Sequence, residues 1–190
     1  IKLFIMKKYF LSAIFLLTII TANSQWGGRI GANFAKLEIE VDGNGQYESD
    51  SENYTGYYFA GFYNIKFTDW LSLRPELSYL YFPKEEKENL VDQLQLPILF
   101  DVNIADKVDI LFGPSISYML GGNENLSNLN YSANLGLMYS FEGFKIEARY
   151  SMGLQNLIEN GELYNSYDGN WYNGDMSLSG IHVGISMNLD

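Results

Sequence analysis

Cysteine is absent from this 190-residue chain, which excludes disulfide frameworks, thiolate zinc sites, thiol catalysis and a lipoprotein anchor acylated on Cys. Charge is scarce: Asp, Glu, Lys and Arg make up 18% of the residues, against about 25% in an ordinary soluble domain. Basic residues are the scarcer sign, 12 against 23 acids, and a formal net charge of −11 repels a phosphate backbone. The partners expected of this chain therefore include no nucleic acid. Histidine occurs once, at His182, so any His-dependent chemistry rests on that residue. Beyond residue 24 no run approaches 18 consecutive apolar residues, so no membrane-spanning helix is expected there. Rings are what the chain has in excess: 15 Tyr and 12 Phe, in a sequence that is 47% apolar. One domain with so many rings and so few charges needs an apolar surround.

The first residues account for the longest apolar run. From Met6 the chain reads Lys7, Lys8, an apolar stretch from Phe10 to Ile20, then Ala22, Asn23 and Ser24. A basic start, a short apolar run and a small-x-small triplet are the pattern of a cleaved secretory signal peptide. Residues 1–24 are expected to be that leader, with cleavage between Ser24 and Gln25, and residues 1–5 to lie upstream of the true start. Export removes Lys2, Lys7 and Lys8 and no acid, leaving 9 basic and 23 acidic residues in 25–190, a single strongly acidic domain. A chain of this kind can cross a membrane only as a barrel.

Period-two alternation runs through the rest. In Phe144 to Gln155, Phe144, Ile146, Ala148, Tyr150, Met152 and Leu154 oppose Lys145, Glu147, Arg149, Ser151, Gly153 and Gln155. Leu71 to Tyr81, Asp92 to Ile104, Val108 to Leu120, Leu129 to Phe141 and Ile181 to Leu189 alternate in the same way. Two weaker segments, Gly28 to Lys36 and Tyr57 to Phe67, bring the count to eight; both faces of the second carry aromatics. Helical spacing would bring Arg149 or Glu76 onto a buried stripe, so strands are the reading. The connections alternate in length: long at 37–54, short at 68–69, moderate at 83–90, short at 105–107, moderate at 121–128, two residues at 142–143, and long at 156–179. The expectation is an all-β fold: an eight-stranded antiparallel up-and-down transmembrane β-barrel with short periplasmic turns and long extracellular loops, located in the outer membrane.

The segments GRIGANFAKL, LQLPILFDVN, GPSISYMLGG, YSANLGLMYSF, EARYSMGLQNL and GIHVGISMNL occur in the order seen in the PorT-like outer-membrane β-barrel family of Bacteroidetes, and the chain resembles that family over its whole exported length. Its most specific features are Leu96-Pro97-Ile98, Gly113-Pro114, and Arg149-Tyr150 followed by Gly153-Leu154. The resemblance implies an eight-stranded outer-membrane barrel; many members carry no assigned activity, and the founding member is tied to type IX secretion. The chain departs from the barrel pattern at its end: Asn188, Leu189 and Asp190 stand where an aromatic usually closes the insertion signal.

Candidate sites follow from the phase. Arg29, Arg74, Glu76, Asp101, Asp109, Lys145, Glu147, Arg149 and His182 share the non-lipid face and are expected to form a lumen network of ion pairs. Catalysis through His182 would need a nucleophile and an acid in hydrogen-bond reach, and the apolar faces of the last six strands hold no Ser or His. Asp42, Asn44, Asp168, Asn170, Asn173 and Asp175 offer oxygens at near-alternating spacing without the complete calcium-loop pattern, and Gly27, Gly28 and Gly31 precede no helix signal, so no metal or cofactor is expected. Tyr47, Tyr164, Tyr167, Trp171 and Tyr172 form either a loop contact surface or an interfacial girdle. The function expected is a non-enzymatic scaffold or interaction protein of the envelope, with a role in secretion or envelope upkeep. Its partners would be outer-membrane lipid, the barrel assembly machinery during insertion and an unidentified envelope protein. The alternatives are a lipid-modifying barrel enzyme, a narrow channel, and a soluble ligand-binding barrel with the apolar face inside.

Overall fold

A computed structural model describes residues 24–43, 46–83, 92–121, 127–158, 162–165 and 170–189. They hold nine strands: β1 (Ser24–Gly43), β2 (Gln46–Lys66), β3 (Leu71–Tyr81), β4 (Gln93–Ala105), β5 (Val108–Met119), β6 (Leu129–Ser140), β7 (Lys145–Gly153), β8 (Glu162–Asn165) and β9 (Asn170–Leu189). Sequential neighbours pair antiparallel from β1 to β7, β7 pairs with β9, and β9 closes on β1. Eight strands make the barrel, and the four-residue β8 is an arm paired only with the upper end of β9. The expected leader, residues 1–24, lies outside the described residues except for Ser24.

The size of the barrel is fixed by its register. Starting at Ser24, opposing residues run through Ile65, Leu73, Phe100, Phe112, Leu135, Tyr150 and Ile181 and return to β1 at Phe34, ten residues beyond the start. That stagger over eight strands tilts them by about 40° and leaves an interior that side chains fill. Each strand then presents two faces. On β6, Tyr131, Leu135, Leu137 and Tyr139 point outward while Asn130, Ser132, Asn134 and Met138 are buried inside. Leu137 is 58% exposed in mid-strand, part of a continuous apolar band that also includes Leu96, Ile98, Ile146, Val183 and Ile185, and only lipid makes such a surface favourable. Rings border it on the short-turn rim, where Trp26 meets Tyr63 at 4.8 Å and Phe141 stacks on Phe144 at 4.9 Å. The two-residue turn between them sits on Gly143, whose φ of 88° is in the left-handed region that glycine adopts freely.

Two long loops of the sequence reading are corrected. Residues 37–54 are mostly strand, because β1 and β2 run on as one hairpin paired from Ser24↔Ile65 to Gly43↔Gln46. Residues 170–179, read as part of a loop, begin β9. The physical reason is a change of solvent. Along β1 the exterior positions pass from Trp26, Ile30 and Phe34 to Lys36, Glu38 and Glu40, while the interior ones pass from Arg29 and Asn33 to Leu37 and Ile39. On β9 the switch falls between Ile181 outside and Leu178 inside, and Ile181 is the register partner of Phe34. Above that level the hairpin stands in water and obeys the soluble rule, apolar in and polar out. The Asp, Asn and Gly content there reads as turn chemistry, although the alternation continues with its faces exchanged.

Replacing Leu137 by Arg is expected to cost about 2–4 kcal/mol, as a cation near the bilayer midplane does, whereas Leu137→Phe should change little. Reversible urea unfolding in lipid vesicles measures both, and equal stabilities would contradict the assigned faces.

Candidate functional site

The interior is layered. At its centre three guanidinium groups close on two carboxylates. Arg29 Nη2 donates to Glu76 Oε1 at 2.6 Å, and its Nη1 donates to Glu147 Oε1 at 2.7 Å. Arg74 lies 3.0 Å from Glu147 Oε2 and 3.4 Å from Glu76 Oε2; Arg149 lies 3.0 Å from Glu76 Oε1 and 3.6 Å from Glu147 Oε1. Every Arg therefore bridges both acids, and the side chains are fully buried or nearly so. β1, β3 and β7 supply these five residues, so the network ties the first strand to the far wall. Ser78 Oγ donates to Glu76 at 2.6 Å, and the Arg74 and Arg29 guanidiniums lie 3.9 Å above Phe62 and 4.3 Å above Tyr58. Such charge-assisted, ring-backed contacts suit Arg, whose planar fork stacks and bridges at once.

Room for these rings comes from glycine. Gly31 and Gly184 oppose each other, and Tyr58 lies across them: a Cβ at Gly184 would stand 2.1 Å from the Tyr58 hydroxyl. The inward rings Tyr58 and Phe62 were not singled out in the sequence, although aromatics on both faces of their segment are the signal that marks them.

Below the network, toward the short turns, a polar vestibule of about 200 Å³ is lined by Asp101, Asp109, Lys145, Asn64 and Asn103. Lys145 Nζ is 4.0 Å from Asp109 Oδ2. The four cations and four acids expected on the inner face thus occupy two levels rather than one: the bridged Arg and Glu cluster, and this rim group. Above the network come neutral groups. Ser115 and Ser132 share a 2.7 Å hydrogen bond, Asn134 Nδ2 donates to Ser115 Oγ at 2.8 Å, and the free space is about 20 Å³. Above these, Leu37, Tyr54, Leu80, Phe82, Met119, Leu157 and Leu178 pack into an apolar cluster that closes the extracellular mouth.

His182 is buried beside this stack, opposite Arg149 and Asn33 in register, with its ring edge-on to Tyr58 at 5.6 Å. Its Nδ1 has no hydrogen-bond partner among the described residues. No Ser hydroxyl or carboxylate of the described residues is hydrogen-bonded to it, so the relay that nucleophilic catalysis requires is not assembled there. The aromatic surface residues fall elsewhere: Tyr47 on β2 pairs with Asp42, Tyr164 with Trp171 and Tyr172 with Leu163 across the β8–β9 hairpin, while Tyr167 lies outside the described residues. Of the oxygen-bearing residues weighed against the calcium-loop pattern, Asp42 lies on β1 and Asn170, Asn173 and Asp175 on β9; Asn44 and Asp168 lie outside the described residues.

The sequence matches the profile of the outer membrane protein beta-barrel domain over residues 21–159. Among solved structures it is similar to the attachment invasion locus protein Ail of Yersinia pestis, at 15% identity and a TM-score of 0.43, covering 85% of this chain and 99% of that one. It is similar also to Neisserial surface protein A (9% identity, TM-score 0.45, 84% and 97% covered) and to OprG from Pseudomonas aeruginosa (11%, 0.42, 90% and 99%). No curated protein sequence matches it.

Glu147→Gln keeps the shape of the side chain but leaves three guanidiniums around one carboxylate. The expected loss is about 3–5 kcal/mol, because a buried charge is left uncompensated. Breaking the exposed Lys36–Glu38 pair by Lys36→Gln should cost no more than about 1 kcal/mol. Unfolding midpoints of the two variants in vesicles provide the comparison.

Proposed function

This chain belongs to the outer membrane protein beta-barrel domain family, and from that premise we propose that it is a closed, non-enzymatic barrel serving as an envelope scaffold, with its extracellular hairpins meeting a protein partner. The observation that carries the reading is the filled interior. The Arg29–Arg74–Arg149 and Glu76–Glu147 layer occupies the middle of the lumen, and the cluster around Leu37, Leu80 and Leu178 covers its outer mouth. A water path for solutes has no place in such a stack, and the buried, relay-free His182 favours a structural role over hydrolysis. Assignment to the PorT-like branch of Bacteroidetes, with its link to secretion, belongs to the same proposal and is supported by the Leu96-Pro97-Ile98 and Gly113-Pro114 features on β4 and β5.

The purified barrel in planar bilayers is expected to give no steady conductance, and His182→Gln to leave the cellular phenotype intact. Deleting residues 160–169, which spares the β9 positions paired with β1, should reduce capture of the partner after mild crosslinking. Large steady conductance, or lipid hydrolysis lost with His182→Gln, would replace this reading with the channel or the enzyme.

A further inference from the structure

The barrel wall has a seam at its periplasmic rim. β7 and β9 are paired from Ser151↔Gly180 down to Lys145↔Ser186, where the pairing stops. Below that point β9 continues through Met187, Asn188 and Leu189, while the chain on the other side turns away through Gly143 and Phe144. A cavity of about 280 Å³ lies at this gap, lined by Gln25, Phe141, Gly143, Phe144, Lys145, Ser186, Met187 and Asn188. Gln25, Lys145 and Asn188 also line the polar vestibule, so the two spaces meet at the seam.

The lining is amphipathic in an ordered way. Phe141, Phe144 and Met187 are exposed on the lipid side, in the girdle at headgroup depth. On the inner side stand several hydrogen-bond donors and one unpaired acceptor, Asn188 Oδ1. Ser186 Oγ is buried, its residue 1% exposed, and has no hydrogen-bond partner among the described residues, which leaves its O–H free to donate into the cavity it lines. Asn188 Nδ2 donates to Gln25 Oε1 at 3.1 Å, which leaves the Gln25 amide N–H groups available. Lys145 is about a quarter exposed, and its ion partner, Asp109, stands at the 4.0 Å limit of contact. An ammonium with two donors left over, an orphaned hydroxyl and an amide, all next to an aromatic lip, match an anionic phosphate with acyl chains attached. A free anion would leave the aromatic lip unused, and a zwitterionic headgroup would bring its own cation toward Lys145.

We propose that this seam is a binding site for one anionic phospholipid of the periplasmic leaflet. Its phosphate sits on Lys145, Ser186 and Gln25, and its glycerol and first methylenes lie on Phe141, Phe144 and Met187.

The test is native mass spectrometry of the full barrel, released from vesicles holding equal amounts of phosphatidylglycerol and phosphatidylcholine. The expected result is one phosphatidylglycerol retained per barrel in preference to phosphatidylcholine. Lys145→Gln should cut that preference about five-fold, as the loss of one interfacial cation does. Ser186→Ala should lower retention of phosphatidylglycerol without changing heat-modifiable migration, which reports that the barrel is folded. Phe144→Ala should loosen both lipids alike. Equal retention of the two lipids, or a preference unchanged in both Lys145→Gln and Ser186→Ala, would overturn the proposal. So would displacement of the lipid by millimolar inorganic phosphate, which would make the site one for free anions.

Discussion

The structure depends on a single constraint: inside hydrocarbon every backbone N–H and C=O must find its partner within the protein. Closure of β9 on β1 meets that constraint for eight strands, and the ten-residue stagger then sets how wide the cylinder can be. At that width side chains fill the middle of the interior, so the charges placed there must satisfy one another. Three Arg and two Glu do so by bridging, each guanidinium serving both carboxylates, and the ring faces of Tyr58 and Phe62 take up the remaining surface of Arg29 and Arg74. The glycine pair Gly31 and Gly184 is part of the same solution, because without it the Tyr58 ring has nowhere to lie.

A second consequence concerns polarity along a strand. Alternation of period two states that a strand has two different faces; it does not state which face meets which medium. β1 shows both answers in one element. Up to Phe34 the even positions are the apolar ones and face outward, and from Lys36 onward they are charged. The crossover marks the membrane surface more sharply than any loop length does, since it records where the solvent itself changes. It also explains why the extracellular end of the lumen is greasy while the middle is ionic. Leu37, Leu178 and their neighbours form the core of a small water-exposed extension, and that core seals the barrel below it.

Much of this was legible in the residues. The eight barrel strands follow from alternation, their antiparallel order from the short turns, and the inward phase of Arg29, Arg74, Glu76, Glu147 and Arg149 from alternation together with export, because within hydrocarbon no other face is open to a charged side chain. What the sequence did not carry was position around the ring. Arg29 and Glu147 are 118 residues apart and meet at 2.7 Å only because the register brings β1 and β7 to one level. The separation of Lys145 and Asp109 from the Arg cluster has the same origin. The upper hairpin is the part whose sequence reads as loop, because its polar residues and the Asp42–Gly43–Asn44–Gly45 run favour turns on local grounds, which pairing of β1 with β2 and β9 overrides.

The two ends of the lumen are therefore unlike for one reason. The extracellular end is extended by strands that must bury an apolar face in water, and they bury it over the mouth. Among the described residues the periplasmic end stops at short turns, at Thr68 and Asp69, Asp106 and Lys107, and Glu142 and Gly143. The space left there is lined by Asp101, Asp109 and Lys145, of which Lys145 keeps the most access to water. Among the described residues the lumen is thus filled at its extracellular end and open at its periplasmic one, and the surface above the membrane is carried by the β1–β2 hairpin and the upper part of β9.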